Sequence, residues 1–221
     1  MTKLKILTPT QKKFLNLFSS EKTLSGRFYL TGGTALAEYY IPYRLSDDLD
    51  FFSEDEIHLQ EITTFIRSVK KNLGYTSVDV STSFNRNLIF LEFNTNETLK
   101  TEFTYFPFPR IEKPKKNNGL YIDSPVDIAV NKLFTIYQKP RSRDFMDLYM
   151  ILKQYKFTLE DILKKTRIKF DWHMDYIQMG TQFMEVMELK DYPRLLISLP
   201  ESDWQNFFIK EAKNFKDKII S

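Results

Sequence analysis

Asp48 and Asp50 alternate with Leu49 just ahead of Phe51-Phe52, and Gly32-Gly33 closes an apolar run upstream of them. In an extended strand, side chains two apart point to one face, about 6–7 Å from each other. Two carboxylates so placed repel unless water, a basic partner or a cation neutralises them. Mg²⁺ takes hard oxygen ligands from one or two carboxylates together with substrate phosphates, which such a pair suits. A glycine pair at a strand-to-helix turn lets backbone N–H groups approach a phosphate, and the helix N-terminus adds about half a positive charge. Side by side in sequence, the two features point to chemistry on a nucleoside triphosphate. Each alone has a plain structural reading: a tight turn that needs positive φ, and an acidic edge strand or helix cap. Asp47 is out of register with the pair and should face away. Arg44 either reaches a phosphate or neutralises Asp47, and the second reading is the simpler.

Two-metal phosphoryl chemistry asks for a third carboxylate able to activate the attacking hydroxyl. Glu102 in LKTEFTYF fits, because alternation puts Lys100 and Glu102 on one face and Thr101, Phe103 and Tyr105 on the other. Glu92 in IFLEFN is the competitor, with the ordinary reading of an exposed strand acid; Glu102 is preferred. Basic residues from Arg110 to Lys116, and Lys139, Arg141 and Arg143, could follow an RNA backbone. Most charge runs are solvated faces. His58 and His173 lack ligand spacing. Phe170, Trp172, Tyr176 and Phe183 read as helical core rather than a base-stacking platform.

The elements that must position these residues follow from periodicity and punctuation. Thr8 caps a first helix to Phe18, with Pro9 at its first position. Phe28 to Leu30 is a short buried strand, Thr34 to Tyr40 a helix stopped by Pro42, and Asp48 to Phe52 a strand with one wet face. Leu59 to Leu73 is an amphipathic helix closed by Gly74. Strands are expected over Val78–Thr82, Asn87–Phe93 and Leu99–Phe106, and a basic, proline-rich loop over Pro107–Gly119. Ser124-Pro125-Val126-Asp127 starts a helix to Gln138, another begins near Ser142, and the chain is helical from Thr158 onward, broken near Pro193 and Pro200. The outline is α+β: an α/β lobe over 1–122 with a mixed sheet flanked by helices, then a helical lobe over 123–221.

Composition is that of a globular protein: 221 residues, 42% hydrophobic, 15% aromatic and a formal charge of +3, too small to imply a partner by itself. The absence of cysteine excludes disulfides and thiolate metal sites. MTKLKILTPTQKKF has no signal-peptide pattern, and no apolar run approaches the roughly 20 residues that span a bilayer. The expectation is a cytoplasmic protein that binds no membrane.

Four ordered blocks, FYLTGGTAL, RLSDDLDFF, LKTEF and SPVDIAVNKLFTIYQKPRSRDFMDLYMIL, resemble the AbiEii/AbiGii toxin family of nucleotidyltransferases, within the DNA polymerase β-like superfamily. The resemblance covers about residues 26–155. It implies a nucleotidyltransferase-fold mixed sheet, with the helical lobe completing the active site. It implies phosphate contacts from Gly32, Gly33 and Thr34, metal ligands at Asp48, Asp50 and Glu102, and Lys132 on the nucleotide phosphates. Its Arg-Asp…Asp-Leu-Tyr block falls on Arg143, Asp144, Asp147, Leu148 and Tyr149, giving Asp144 a catalytic place and Asp147 the orienting of Lys132 or of the substrate hydroxyl. Glutamate at 102, where aspartate is more usual, leaves the base open. Without the resemblance, Lys132 reads as a snorkelling surface lysine and both aspartates as structural. The implied activity is Mg²⁺- or Mn²⁺-dependent transfer of a nucleoside monophosphate from an NTP to an acceptor hydroxyl, with release of pyrophosphate. The implied setting is the toxin of a bacterial toxin–antitoxin or phage-defence pair with a cognate antitoxin, acting on RNA such as the tRNA 3′ end. Alternatives are a nucleotidyltransferase acting on a protein or small molecule, and a non-catalytic nucleotide- or RNA-binding module.

Overall fold

A computed structural model of the chain describes residues 4–220. The first three residues of the sequence-assigned N-terminal lobe, and residue 221 of the C-terminal one, lie outside the described residues. The chain divides into two compact units, Met1–Pro109 with Lys113–Ser124, and Arg110–Glu112 with Pro125–Ser221.

The first unit is built on a mixed sheet of seven strands in the order β3-β4-β5-β2-β1-β7-β6. The strands are β1 (Tyr29–Thr31), β2 (Asp48–Ser53), β3 (Ser77–Ser83), β4 (Arg86–Glu92), β5 (Thr98–Tyr105), β6 (Lys115–Asn117) and β7 (Leu120–Ile122). β2 runs parallel to β5 and antiparallel to β1, and β1 runs parallel to β7. Four helices belong to this unit: α1 (Pro9–Ser20), α2 (Lys22–Arg27), α3 (Gly32–Tyr39) and α4 (Leu59–Leu73). Thr8 and Gln11 form a reciprocal capping box on α1, and Gly74 closes α4 at φ 91°.

The alternation in β2 decides which face is dry. Leu49, Phe51 and Ser53 are buried, while Asp48, Asp50 and Phe52 are half-buried on the other side. Phe51 stacks on Phe103 of β5 at 5.0 Å, and Phe18 of α1 lies 4.4 Å from Phe51 and 5.5 Å from Phe65 of α4. Phe14, Phe18, Phe51 and Phe103 are fully buried. At about 1.5–3 kcal/mol for each such side chain removed from water, this aromatic layer pins the register. A slip of one residue would turn the carboxylates into the core.

The loop expected over Pro107–Gly119 instead contains β6, and β7 follows at once. Asn118 and Gly119 both have positive φ, 46° and 86°, which makes a two-residue hairpin turn between Asn117 and Leu120. Helix α2 was also absent from the sequence-based outline.

The second unit comprises α5 (Pro125–Gln138), α6 (Ser142–Tyr155), α7 (Leu159–Phe170), α8 (Tyr176–Met184), a 3₁₀ turn at Glu185–Met187 and α9 (Glu201–Ile220). Phe145, Phe183 and Phe208 pack edge to face in its core, with centroids 4.8–6.1 Å apart. Phe134 stacks on Phe170 at 3.8 Å. Trp172 departs from the expectation of a core aromatic. It is 54% exposed and meets Phe134 only with an edge at 6.4 Å.

Candidate functional site

The parallel pairing of β2 with β5 sets Asp48 beside Lys100 and Asp50 beside Glu102, all on the sheet face away from the phenylalanine layer. Directly paired residues share a face, so the alternation seen in each strand becomes one shared surface. Glu92 lies one strand further out, opposite Thr98, whose hydroxyl donates to its carboxylate at 2.8 Å. Asp47 precedes the strand and is exposed.

The glycine pair stands against this surface. Gly32 has φ 71°, and a Cβ there would fall on the Asp50 carboxylate. Gly33 faces the other way: a Cβ there would meet the Arg44 guanidinium and, at 3.0 Å, the Ser46 hydroxyl. Arg44 is buried, donates to the Leu45 carbonyl at 2.9 Å and lies 5.9 Å from the Tyr43 ring centroid. Both glycines are thus explained by close approach of charged side chains. Thr34 is buried, and its hydroxyl donates to the Asp48 carbonyl, tying the first turn of α3 to β2. Thr31, the N-cap of α3, makes no side-chain cap; its hydroxyl donates instead to the buried Asp123 at 2.6 Å. Thr31 therefore puts no side-chain oxygen on the first-turn amides of α3, and the Asp50 carboxylate stands against Gly32.

Two basic residues answer the carboxylates. Lys100 Nζ reaches Asp48 Oδ2 at 2.8 Å. Arg86, at the start of β4, grips both oxygens of Glu102, Nε to Oε1 at 2.7 Å and Nη2 to Oε2 at 2.6 Å, while the Thr104 hydroxyl adds 2.7 Å to Oε1. Burial pushes the Glu102 carboxyl up, but the Arg86 and Thr104 hydrogen bonds, with the charges of Arg86 and Lys100, outweigh it and hold it below the usual range. Arg86 is correspondingly raised, chiefly by its hydrogen bond to Glu102. Among the described residues, no group of three or more His, Asp or Glu side chains is arranged to hold a metal ion. Asp48 and Asp50 remain a same-face pair of hard donors of the kind Mg²⁺ takes together with phosphates. Glu102 is held by Arg86 and Thr104.

Arg86 was missed in the sequence, because only the β4–β5 register brings it to Glu102. A hairpin joining β4 to β5 puts every second residue of each on a common face, and Arg86 stands opposite Thr104, diagonal to Glu102.

The second unit holds the other residues named by the resemblance. Lys132 of α5 is buried between two aspartates of α6, with Nζ 2.7 Å from Asp144 Oδ1 and 2.7 Å from Asp147 Oδ2. Arg141 adds a contact to Asp144 Oδ2 at 2.8 Å. Burial raises the Asp144 carboxyl, and the charges of Lys132 and Arg141 with their hydrogen bonds bring it below its ordinary value. Lys132 is therefore no snorkelling lysine; its ion pairs with Asp144 and Asp147 lock α5 to α6. Arg143 is half-exposed on the same helix. Asp127, expected only as a first-turn acid, accepts from buried Lys169 at 2.8 Å and from the amides of Ile111 and Glu112.

The family profile of the nucleotidyl transferase AbiEii toxin, type IV toxin–antitoxin system, matches residues 15–218. The chain belongs to this family. An uncharacterized protein of Aquifex aeolicus is 33% identical to this AbiEii-family chain over 149 residues, 65% of this chain and 66% of its own length, just under two thirds. A crystal structure described as a candidate nucleotidyltransferase from Helicobacter pylori matches with a TM-score of 0.62 at 20% identity, over 96% of this chain and 97% of that one. A second H. pylori crystal structure matches at 0.61 and 19% identity, over 97% and 94%. At these identities the likeness is one of fold, and the fold is that of nucleotidyltransferases. No helix among the described residues is long and apolar enough to cross a membrane.

Proposed function

We propose that this AbiEii-family protein transfers a nucleoside monophosphate from an NTP to an acceptor hydroxyl and releases pyrophosphate, with RNA, the tRNA 3′ end included, as the acceptor class. The observation that carries this reading is the single sheet face bearing Asp48, Asp50, Lys100 and Glu102, with the glycine start of α3 laid against Asp50. In the reaction, the acceptor oxygen forms a bond to the α-phosphorus, the bond to the pyrophosphate oxygen breaks, and the hydroxyl proton passes to a base.

Asp48 and Asp50 are the residues that would hold a Mg²⁺ ion, which when bound neutralises charge on the triphosphate. Lys100 would then be displaced from Asp48 and could turn to a phosphate. The amides at Gly32 and Gly33 supply backbone donors at a helix N-terminus. Thr34 supports them from behind by holding α3 to β2. Glu102 is a poor base while Arg86 holds both its oxygens, because a carboxylate held below its usual pKa takes a proton weakly. Lys132, Asp144 and Asp147 come to this reading from the family resemblance, as neutralisation of the triphosphate and the support of that lysine.

The decisive experiment incubates purified protein with each labelled triphosphate, Mg²⁺, total RNA and total protein. Label should enter RNA in a Mg²⁺-dependent way and fall at least about a hundredfold in Asp48→Asn. Label in protein alone would move the acceptor class. No incorporation into either fraction would sink the reading.

A further inference from the structure

The carboxylate face already holds a cation at the position where a third metal ligand is expected. Glu102 is 8% exposed at its side chain, whereas Arg86 is 55% exposed. The guanidinium meets it as a two-pronged fork, the geometry that makes arginine–carboxylate pairs strong and directional. With Thr104 also donating to Oε1, three hydrogen bonds engage this one carboxylate. Asp50, beside Glu102 across the β2–β5 ladder, adds its own charge to the field at Arg86. The other pair on this face differs in kind. Lys100 touches Asp48 by one contact between two half-exposed side chains, so it can swing away at little cost.

We propose that Arg86 is the resident cation of this face and competes with a divalent ion for Glu102, so that the Arg86–Glu102 fork and an ion on Glu102 exclude one another. This rests on the metal reading of Asp48 and Asp50. Of the roughly four acceptor directions of the Glu102 carboxylate, the guanidinium and Thr104 take three, and the guanidinium charge repels a second cation there. A site with Arg86 in place has two carboxylates to offer, and gains the third only when Arg86 leaves. Once released, the guanidinium presents five donors at the exposed end of β4, suited to a phosphate of substrate or acceptor. Competition is reciprocal: the factor by which the fork weakens the ion is the factor by which the ion weakens the fork.

The test is Mn²⁺ binding by the full-length protein, read from the spin resonance of free Mn²⁺, with thermal midpoints alongside. Arg86→Met keeps the apolar stem and removes the charge. It should bind Mn²⁺ on the order of tenfold more tightly than the wild type, a coupling typical of two linked ligands. Its thermal midpoint should also rise more on adding Mn²⁺, since the ion then neutralises a carboxylate left without its partner. Arg86→Lys keeps the charge but loses the fork, and should fall between the two. Glu102→Gln should abolish the gain in the Arg86→Met background while costing the wild type much less, a non-additivity that simple structural damage does not produce. Equal affinity in wild type, Arg86→Lys and Arg86→Met, with binding still abolished by Asp48→Asn, would overturn the competition and leave the metal reading standing. If no variant binds Mn²⁺ in an Asp48-dependent way, both readings fall.

Discussion

Gly32 shows how narrow the tolerances around the acidic pair are. Its φ of 71° already favours glycine, and the space a Cβ would fill belongs to the Asp50 carboxylate. Gly32→Ala should therefore displace Asp50 and lower nucleotide transfer on the order of a hundredfold, the usual cost of misplacing a reacting group by about an ångström. Circular dichroism should show the sheet intact, and an active Gly32→Ala enzyme would remove Asp50 from the site. The sequence carried the alternation of Asp48 with Asp50 and of Lys100 with Glu102, because strand period is a local signal, but not that β2 lies beside β5. It did not carry the partners of those acids. Arg86 comes within reach of Glu102 only through the register of a hairpin, and Arg44 reaches Gly33 only because the chain folds back after Pro42.

Among the elements, the hairpin β3–β4 is the one most at odds with its sequence. Its two-residue turn puts Phe84 at φ 50° with the ring fully in solvent. A bulky residue in the left-handed region costs about 1–2 kcal/mol, and here no burial offsets it. Phe84→Gly should raise stability by about 0.5–1 kcal/mol in urea titration, with the m-value unchanged. A loss of stability would mean that the aromatic ring contributes contacts in the folded chain. The hairpin β6–β7, at the opposite edge of the sheet, was readable but passed over, because basic residues and prolines around Asn118-Gly119 suggested a loop. That Asn-Gly pair is a strong hairpin signal. Helix α2 is harder to see: six residues, KTLSGR, have no room for a periodic apolar face, and Glu21 caps it with its side chain.

Taken as a whole, the molecule relies on buried acids held by bases: Glu102 in the first unit, and Asp127 and Asp144 in the second, all with carboxyls below their ordinary values. A carboxyl depressed in the folded state adds stability above its unfolded pKa of about 4, and that contribution is lost as pH falls through the folded value. Acid should therefore destabilise the protein progressively below about pH 5. Asp144→Asn should cost about 3 kcal/mol near neutrality by leaving Lys132 and Arg141 short of a partner. The gap between variant and wild type should close as the pH falls. A gap that stays constant from pH 7 to pH 3 would show that the charge of Asp144 does not stabilise the fold.

The ion pairs that Lys100 and Arg86 make on the carboxylate face also bear on how the chain comes to exist in a cell. Bare acids crowded on one strand pair would oppose the closing of β2 on β5 until an ion arrived. Here the polypeptide brings counter-charges of its own, so the sheet can complete itself during synthesis whatever the supply of divalent ions. Closing the sheet and taking up an ion then become separate events.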